Sequence, residues 1–215
     1  MGHGYGLGHS FSDDPTYRNV SWAQIGECDN PWDLMSAMNV YTSTSPNFGV
    51  IPPGLNGYQL DRMDCLGRTR IATFGADGAT ARTYPVAPLR QNATPGVQLL
   101  RIPFDPADLN HYYTVEYRRK SALDAGIPND IVLTTEVKNR ASYLLRTRGG
   151  NRDPVQTLAA NGVTLRASTA SARPLRSRHR PSRQGASVSH RWSRSWLLLR
   201  PTRGHPVAPG CLTPA

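Results

Sequence analysis

The chain has 215 residues, 38% of them hydrophobic, with 19 glycines and 18 prolines, enough apolar material for one large domain or two small ones. Its longest uninterrupted apolar run is Trp196–Leu199, far short of the ~20 residues a membrane-spanning helix needs, so no membrane role is expected. The net charge of +10 does not describe a basic folded surface: ten of the 25 Lys and Arg residues fall in 166–215, where there is no acid, while residues 1–165 balance fifteen bases against fifteen acids.

The chain opens Met-Gly-His-Gly-Tyr-Gly-Leu-Gly-His, with His3 and His9 six residues apart and Gly6 midway between them. This spacing is similar to the second half of the zinc signature His-Glu-x-x-His-x-x-Gly-x-x-His. Downstream, Asn30-Pro31-Trp32-Asp33-Leu34-Met35-Ser36 is similar to the Met-bearing turn that one branch of the zinc peptidases places beneath the metal. On these two elements the chain resembles a metzincin-like zinc metallopeptidase of the secreted bacterial type, cut inside its zinc signature.

The resemblance implies a zinc cofactor and a protein or peptide substrate, with an extracellular destination for the full-length parent. No signal peptide is visible in this chain. His3 would be the second metal ligand, Gly6 the turn residue and His9 the third ligand. Met35 would pack under the imidazoles, with Met38 as the fallback. Ala37 stands where some members carry a Tyr, so no Tyr contribution is implied. The first His and the general-base Glu would precede Met1, so no catalytic residue is expected within the chain, and two imidazoles at a mobile N-terminus are expected to bind zinc weakly. The competing reading is an incidental His pair in a frayed terminus, since Gly2, Gly4, Gly6 and Gly8 are poor helix formers at about 1 kcal/mol each relative to Ala.

Residues 10–30 read as a polar link. Asp13, Asp14, Asp29 and Asp33 lack the spacing of a calcium loop and read as surface loop acids. Cys28 and Cys65 bracket the Met-bearing turn, either as a disulfide or as two thiols that never meet. From Tyr58 to Leu66, apolar residues at 60, 63 and 66 predict a helix, stopped by Gly67 and closing a catalytic remnant over 1–66.

The pattern then changes. Residues 70–74, 97–104, 111–117, 130–137 and 142–146 are rich in Val, Ile, Thr and Tyr and are separated by Gly, Pro, Asn and Asp, which predicts five strands. They predict an antiparallel β-sandwich-like domain over 67–165, and the fold class as a whole is expected to be α+β. The run Tyr112–Arg118 with Asp124–Pro128 is similar to the β-rich domain that follows the catalytic domain in some secreted bacterial members. The alternating Tyr residues there read as half-buried strand positions, and His111 as a surface or capped His. A noncatalytic binding module built on this domain is the alternative function.

Residues 166–215 are crowded with Arg, Ser and Pro and predict a disordered tail. Arg without any Lys also matches a shifted reading frame of a GC-rich gene. An anion-binding arm with Trp192 and Trp196 stacking on bases is the functional alternative, although a nucleic-acid partner is not the expectation. Cys211 would be an unplanned thiol in that tail.

Overall fold

A computed structural model describes residues 2–170 and 194–201, except 19, 38, 79–80, 106, 148–152 and 161–162, with side chains as far as residue 159. In chain order the elements are β1 (Ser10–Ser12), β2 (Ser43–Ser45), β3 (Gly49–Ile51), α1 (Gly57–Arg62), β4 (Ile71–Thr73), β5 (Arg82–Val86), β6 (Leu99–Asp105), β7 (Asp108–Arg118), β8 (Ile131–Lys138), β9 (Ala141–Leu144), β10 (Thr157–Ala160), β11 (Val163–Ala170) and β12 (Arg194–Pro201). The fold is therefore mainly β, which corrects the α+β expectation. Among the described residues the one α-helix is six residues long, because the first 66 residues are held by turns and side-chain hydrogen bonds rather than by helical periodicity.

All five predicted strands are present as β4, β6, β7, β8 and β9. The order of the main sheet is β1-β9-β8-β7-β6-β4. Its interior is antiparallel because those strands follow one another directly, β6–β7 and β8–β9 through tight turns and β7–β8 through residues 119–130. One turn has Asn139 and Arg140 at φ 51° and 61°, the positive values that a two-residue hairpin loop requires. Both edges are parallel, β1 on β9 and β4 on β6, because the chain leaves the sheet before and after them. The sheet is mixed rather than wholly antiparallel for that reason.

The eleven-residue β7 explains how two layers cover this sheet. Successive strand side chains point to opposite faces, so Tyr113, Val115 and Tyr117 share a core with Leu100, Ile102, Val132 and the β5 residues Tyr84 and Val86. β5 belongs to a second, antiparallel sheet of order β10-β11-β12-β5. On the opposite face, Leu133 and Leu144 pack with Trp32 and Ile127, and Leu99 packs with Leu60, Leu66 and Leu89. That second face is covered by the N-terminal 66 residues, so the boundary at 66/67 does not separate two cores.

Part of the region expected to be irregular is paired. β11 and β12 are antiparallel from Val163↔Pro201 to Ala170↔Arg194, and β12 continues onto β5. Met38, Trp192, Cys211 and the side chain of Trp196 lie outside the described residues.

α1 begins at an Asn56 N-cap, whose side chain accepts from Gln59 N at 2.8 Å, a cap preference that follows from the unpaired first-turn N–H groups. The helix ends at Arg62, short of the predicted Leu66, and Asp64 turns the chain at φ 54°. Its first residue leaves no room for a side chain: a Cβ on Gly57 would lie 2.5 Å from Leu99 Cδ1 and 2.6 Å from Glu116 Oε2. Gly57→Ala is accordingly expected to destabilise the fold by about 1–3 kcal/mol. The check is a lowered urea midpoint with an unchanged slope, and an unshifted midpoint would mean that α1 does not seat against the sheet.

Candidate functional site

The His3–His9 segment is ordered by local hydrogen bonds. Gly2–Tyr5 forms a 3-10 turn. Gly6 N donates to His3 O at 2.9 Å and Leu7 N to Gly2 O at 3.2 Å. Gly6 has φ +73° with open space where a Cβ would stand, so backbone conformation rather than crowding calls for glycine there. Leu7 is buried and anchors the turn. Met35 is also buried, and its sulfur sits where a Cβ on Gly2 would fall, placing the thioether beneath the His-bearing turn. Ser10 N donates to Met35 O at 3.1 Å, tying the chain after His9 to the turn that carries Met35.

The two imidazoles converge. Their Nε2 atoms are 3.1 Å apart, and the rings meet edge to face with centroids 4.8 Å apart. His3 Nδ1 lies 2.9 Å from Leu7 O, and His9 Nδ1 lies 2.5 Å from Glu27 Oε1. A carbonyl and a carboxylate can only accept, so each Nδ1 carries the proton and donates. That tautomer leaves two Nε2 lone pairs facing each other, which is repulsive unless a proton or a cation lies between them. Two nitrogens bound at 2.0–2.1 Å to one tetrahedral zinc are roughly 3.3 Å apart, so this donor pair fits a metal. The Nδ1 partners also match the carbonyl and carboxylate groups that orient metal-bound His.

Glu27 is the residue that sequence reasoning missed, because its pairing with His9 bridges eighteen positions without a motif. Its carboxylate also accepts from Gln24 N at 2.8 Å. The hydrogen bond from His9 outweighs burial and holds the Glu27 carboxyl below its ordinary range. No cluster of three or more His, Cys, Asp or Glu suited to a metal occurs among the described residues, so His3 and His9 form a two-ligand set.

A buried polar network seats this segment on the sheet. Asp33 accepts from Ser10 Oγ, from Asn56 Nδ2 at 2.7 Å and from Asn56 N at 3.1 Å. Asn56 Nδ2 also reaches Ser142 Oγ on β9 at 3.0 Å. Burial raises the Asp33 carboxyl above its usual value against these donors. Asp14, Asp29 and Asp33 are buried, which corrects the surface-acid expectation. Asp14 Oδ1 accepts from Thr16 N at 2.9 Å and Asp13 Oδ1 from Arg146 N at 2.8 Å, while Asp29 accepts from Ser12 Oγ at 2.6 Å and pairs with Arg146 at 3.2 Å. Asp13, Asp29 and Asp33 therefore fasten loops to the sheet, while the Asp14–Thr16 bonds close a local turn.

Cys28 and Cys65 are both free thiols, so the disulfide alternative is set aside. The Cys65 thiol turns to Met63 O at 3.6 Å, and burial together with the Glu27 charge pushes the Cys28 thiol up, away from the thiolate that disulfide exchange needs. His111 is a partnered strand residue, 2.7 Å from Glu136 Oε1 and stacked on Phe104. Tyr112, half-buried, and Tyr113, buried in the core, are pushed up to about 12 by burial. Comparison with known proteins returned no matching family model, no curated relative and no similar solved structure.

Proposed function

We propose that this chain carries part of a zinc peptidase site of the metzincin-like kind, with His3 and His9 as two metal ligands, Gly6 as the turn residue and Met35 as the support beneath them. The observation that carries the reading is the pair of Nε2 lone pairs 3.1 Å apart, each ring held by an acceptor on its Nδ1. Zinc in such a site supplies Lewis-acid polarisation of a peptide carbonyl. The residues of this chain orient the imidazoles: Leu7 O holds the ring of His3, Glu27 holds that of His9, and Met35 fills the space below. The substrate class is protein or peptide, and the destination is extracellular.

Among the described residues no second carboxylate approaches the imidazoles, and Glu27 is engaged by His9 Nδ1. The 215-residue chain is therefore expected to bind a divalent metal without hydrolysing peptide bonds. Titration of the purified chain with cobalt(II) should give saturable d–d absorption that zinc displaces, with no chelator-sensitive cleavage of casein. Absence of saturable binding would remove the metal reading, and chelator-sensitive cleavage would show that a base has been overlooked.

A further inference from the structure

Residues that break a rule of burial concentrate at functional positions. Gln59 on α1 is one. Its side chain is 1% exposed, and its Oε1 is buried without a hydrogen-bond partner. A buried amide with one unsatisfied end is not what stability alone would select. Its other end is engaged: Nε2 donates to Gly8 O at 2.9 Å, the carbonyl immediately before His9. Three residues on, and so on the same side of the helix, Arg62 Nη2 donates to Gly6 O at 3.1 Å. The Arg62 guanidinium is steadied 5.8 Å over the Tyr58 ring.

We infer that Gln59 and Arg62 are positioning residues that clamp the His3–His9 segment in its metal-ready shape, an inference that rests on the metal reading above. The segment needs such a clamp because Gly4, Gly6 and Gly8 lose more backbone freedom on ordering than other residues, a cost that its few local hydrogen bonds must otherwise offset alone. Carbonyls are the natural handles, since the imidazoles must stay free to converge. α1 is itself held from the centre of the sheet, where the Glu116 carboxylate on β7 accepts from Gly57 N. The clamp thus runs from β7 through α1 to the carbonyls of Gly6 and Gly8, and from there to the two rings.

The role separates cleanly from folding. Asn56 caps α1 through the backbone N–H of Gln59, so Gln59→Met keeps the cap and the side-chain length and removes both the donor and the orphaned oxygen. Arg62 is exposed, so Arg62→Met removes a donor without opening the core. Cobalt(II) titration of the whole chain is expected to show about tenfold weaker binding in each variant, at the lower end of what outer-shell changes produce. The d–d band should be altered, the thermal midpoint should match the unsubstituted protein, and Arg62→Lys, which keeps a donor, should restore affinity. Affinity and band equal to the unsubstituted protein in both methionine variants would overturn the clamp. If the unsubstituted chain binds no cobalt, the metal reading fails separately. The clamp is then decided by hydrogen exchange at the Gly6 and Leu7 amides of the metal-free chain, which must speed up in Gln59→Met; unchanged exchange would overturn it.

Discussion

Replacing Arg118 with methionine is expected to lower the unfolding free energy by about 3–5 kcal/mol. The guanidinium is fully buried. Its Nε donates to Asp124 Oδ2 at 2.9 Å, Nη1 to Glu116 Oε1 at 3.0 Å and Nη2 to Gly54 O at 3.0 Å, with a further bond from Nη2 to Asp124 Oδ1. Burial alone would lower the pKa of Arg118, but its hydrogen bonds to Asp124 and the charges of Glu116 and Asp124 hold it above its ordinary value. Glu116 tells the converse story. Burial pushes its carboxyl up, with Arg118 and the Gly57 N–H pulling the other way.

Methionine fills much of the same volume and removes the cation, leaving Glu116 and Asp124 buried without their partner, and that is where most of the loss arises. Adding Glu116→Gln and Asp124→Asn should recover part of it, because uncharged groups at those positions no longer need the guanidinium. Chemical unfolding of the single and triple variants measures both effects. A single variant within about 1 kcal/mol of the parent, the range of exposed pairs, would show that the cluster is solvated and does not hold the sheet to residues 54–57.

The second large effect falls on metal binding. His9→Ala is expected to reduce cobalt(II) binding below detection, because it removes one of two converging nitrogens and leaves a single imidazole at an exposed turn. Glu27→Ala keeps both nitrogens and is expected to weaken binding by about 10–100-fold, since His9 loses the carboxylate that fixes its tautomer and ring orientation. Glu27→Gln should fall between Glu27→Ala and the unsubstituted protein, because an amide oxygen still accepts from Nδ1 but carries no charge. The ordering His9→Ala, Glu27→Ala, Glu27→Gln, read by competition titration, is the measurement. A Glu27→Ala protein that binds as tightly as the unsubstituted one would mean that the His9–Glu27 hydrogen bond belongs to loop packing alone.

Strand existence was legible because it depends on local pattern. β7 alternates Tyr113, Val115 and Tyr117 against Thr114, Glu116 and Arg118, and an extended segment sends successive side chains to opposite faces whatever packs on it. The short β1 and β5 were not legible. Ser10–Ser12 becomes a strand because β9 offers it an edge, and Arg82–Val86 because β12 does; neither carries enough periodicity of its own. The Asn56 cap could have been read from Asn-Gly ahead of the helical spacing.

The sequence by itself determined which side chains could serve as metal donors. His3 and His9, with the glycine that turns the chain between them, are residue types with that chemistry wherever they fold. Only the tertiary structure decided whether those donors meet. Glu27, Gln59, Arg62 and Met35 reach the turn from 18 to 56 positions away in the chain, through contacts that no local spacing encodes. The burial of Asp33, Glu116 and Arg118 was likewise undecided by residue type, because whether a charge is solvated or paired depends on which segment covers it. Here the N-terminal residues and α1 cover one face of the central sheet, and that coverage turns three ordinary ionisable residues into the anchor on which the His-bearing turn rests.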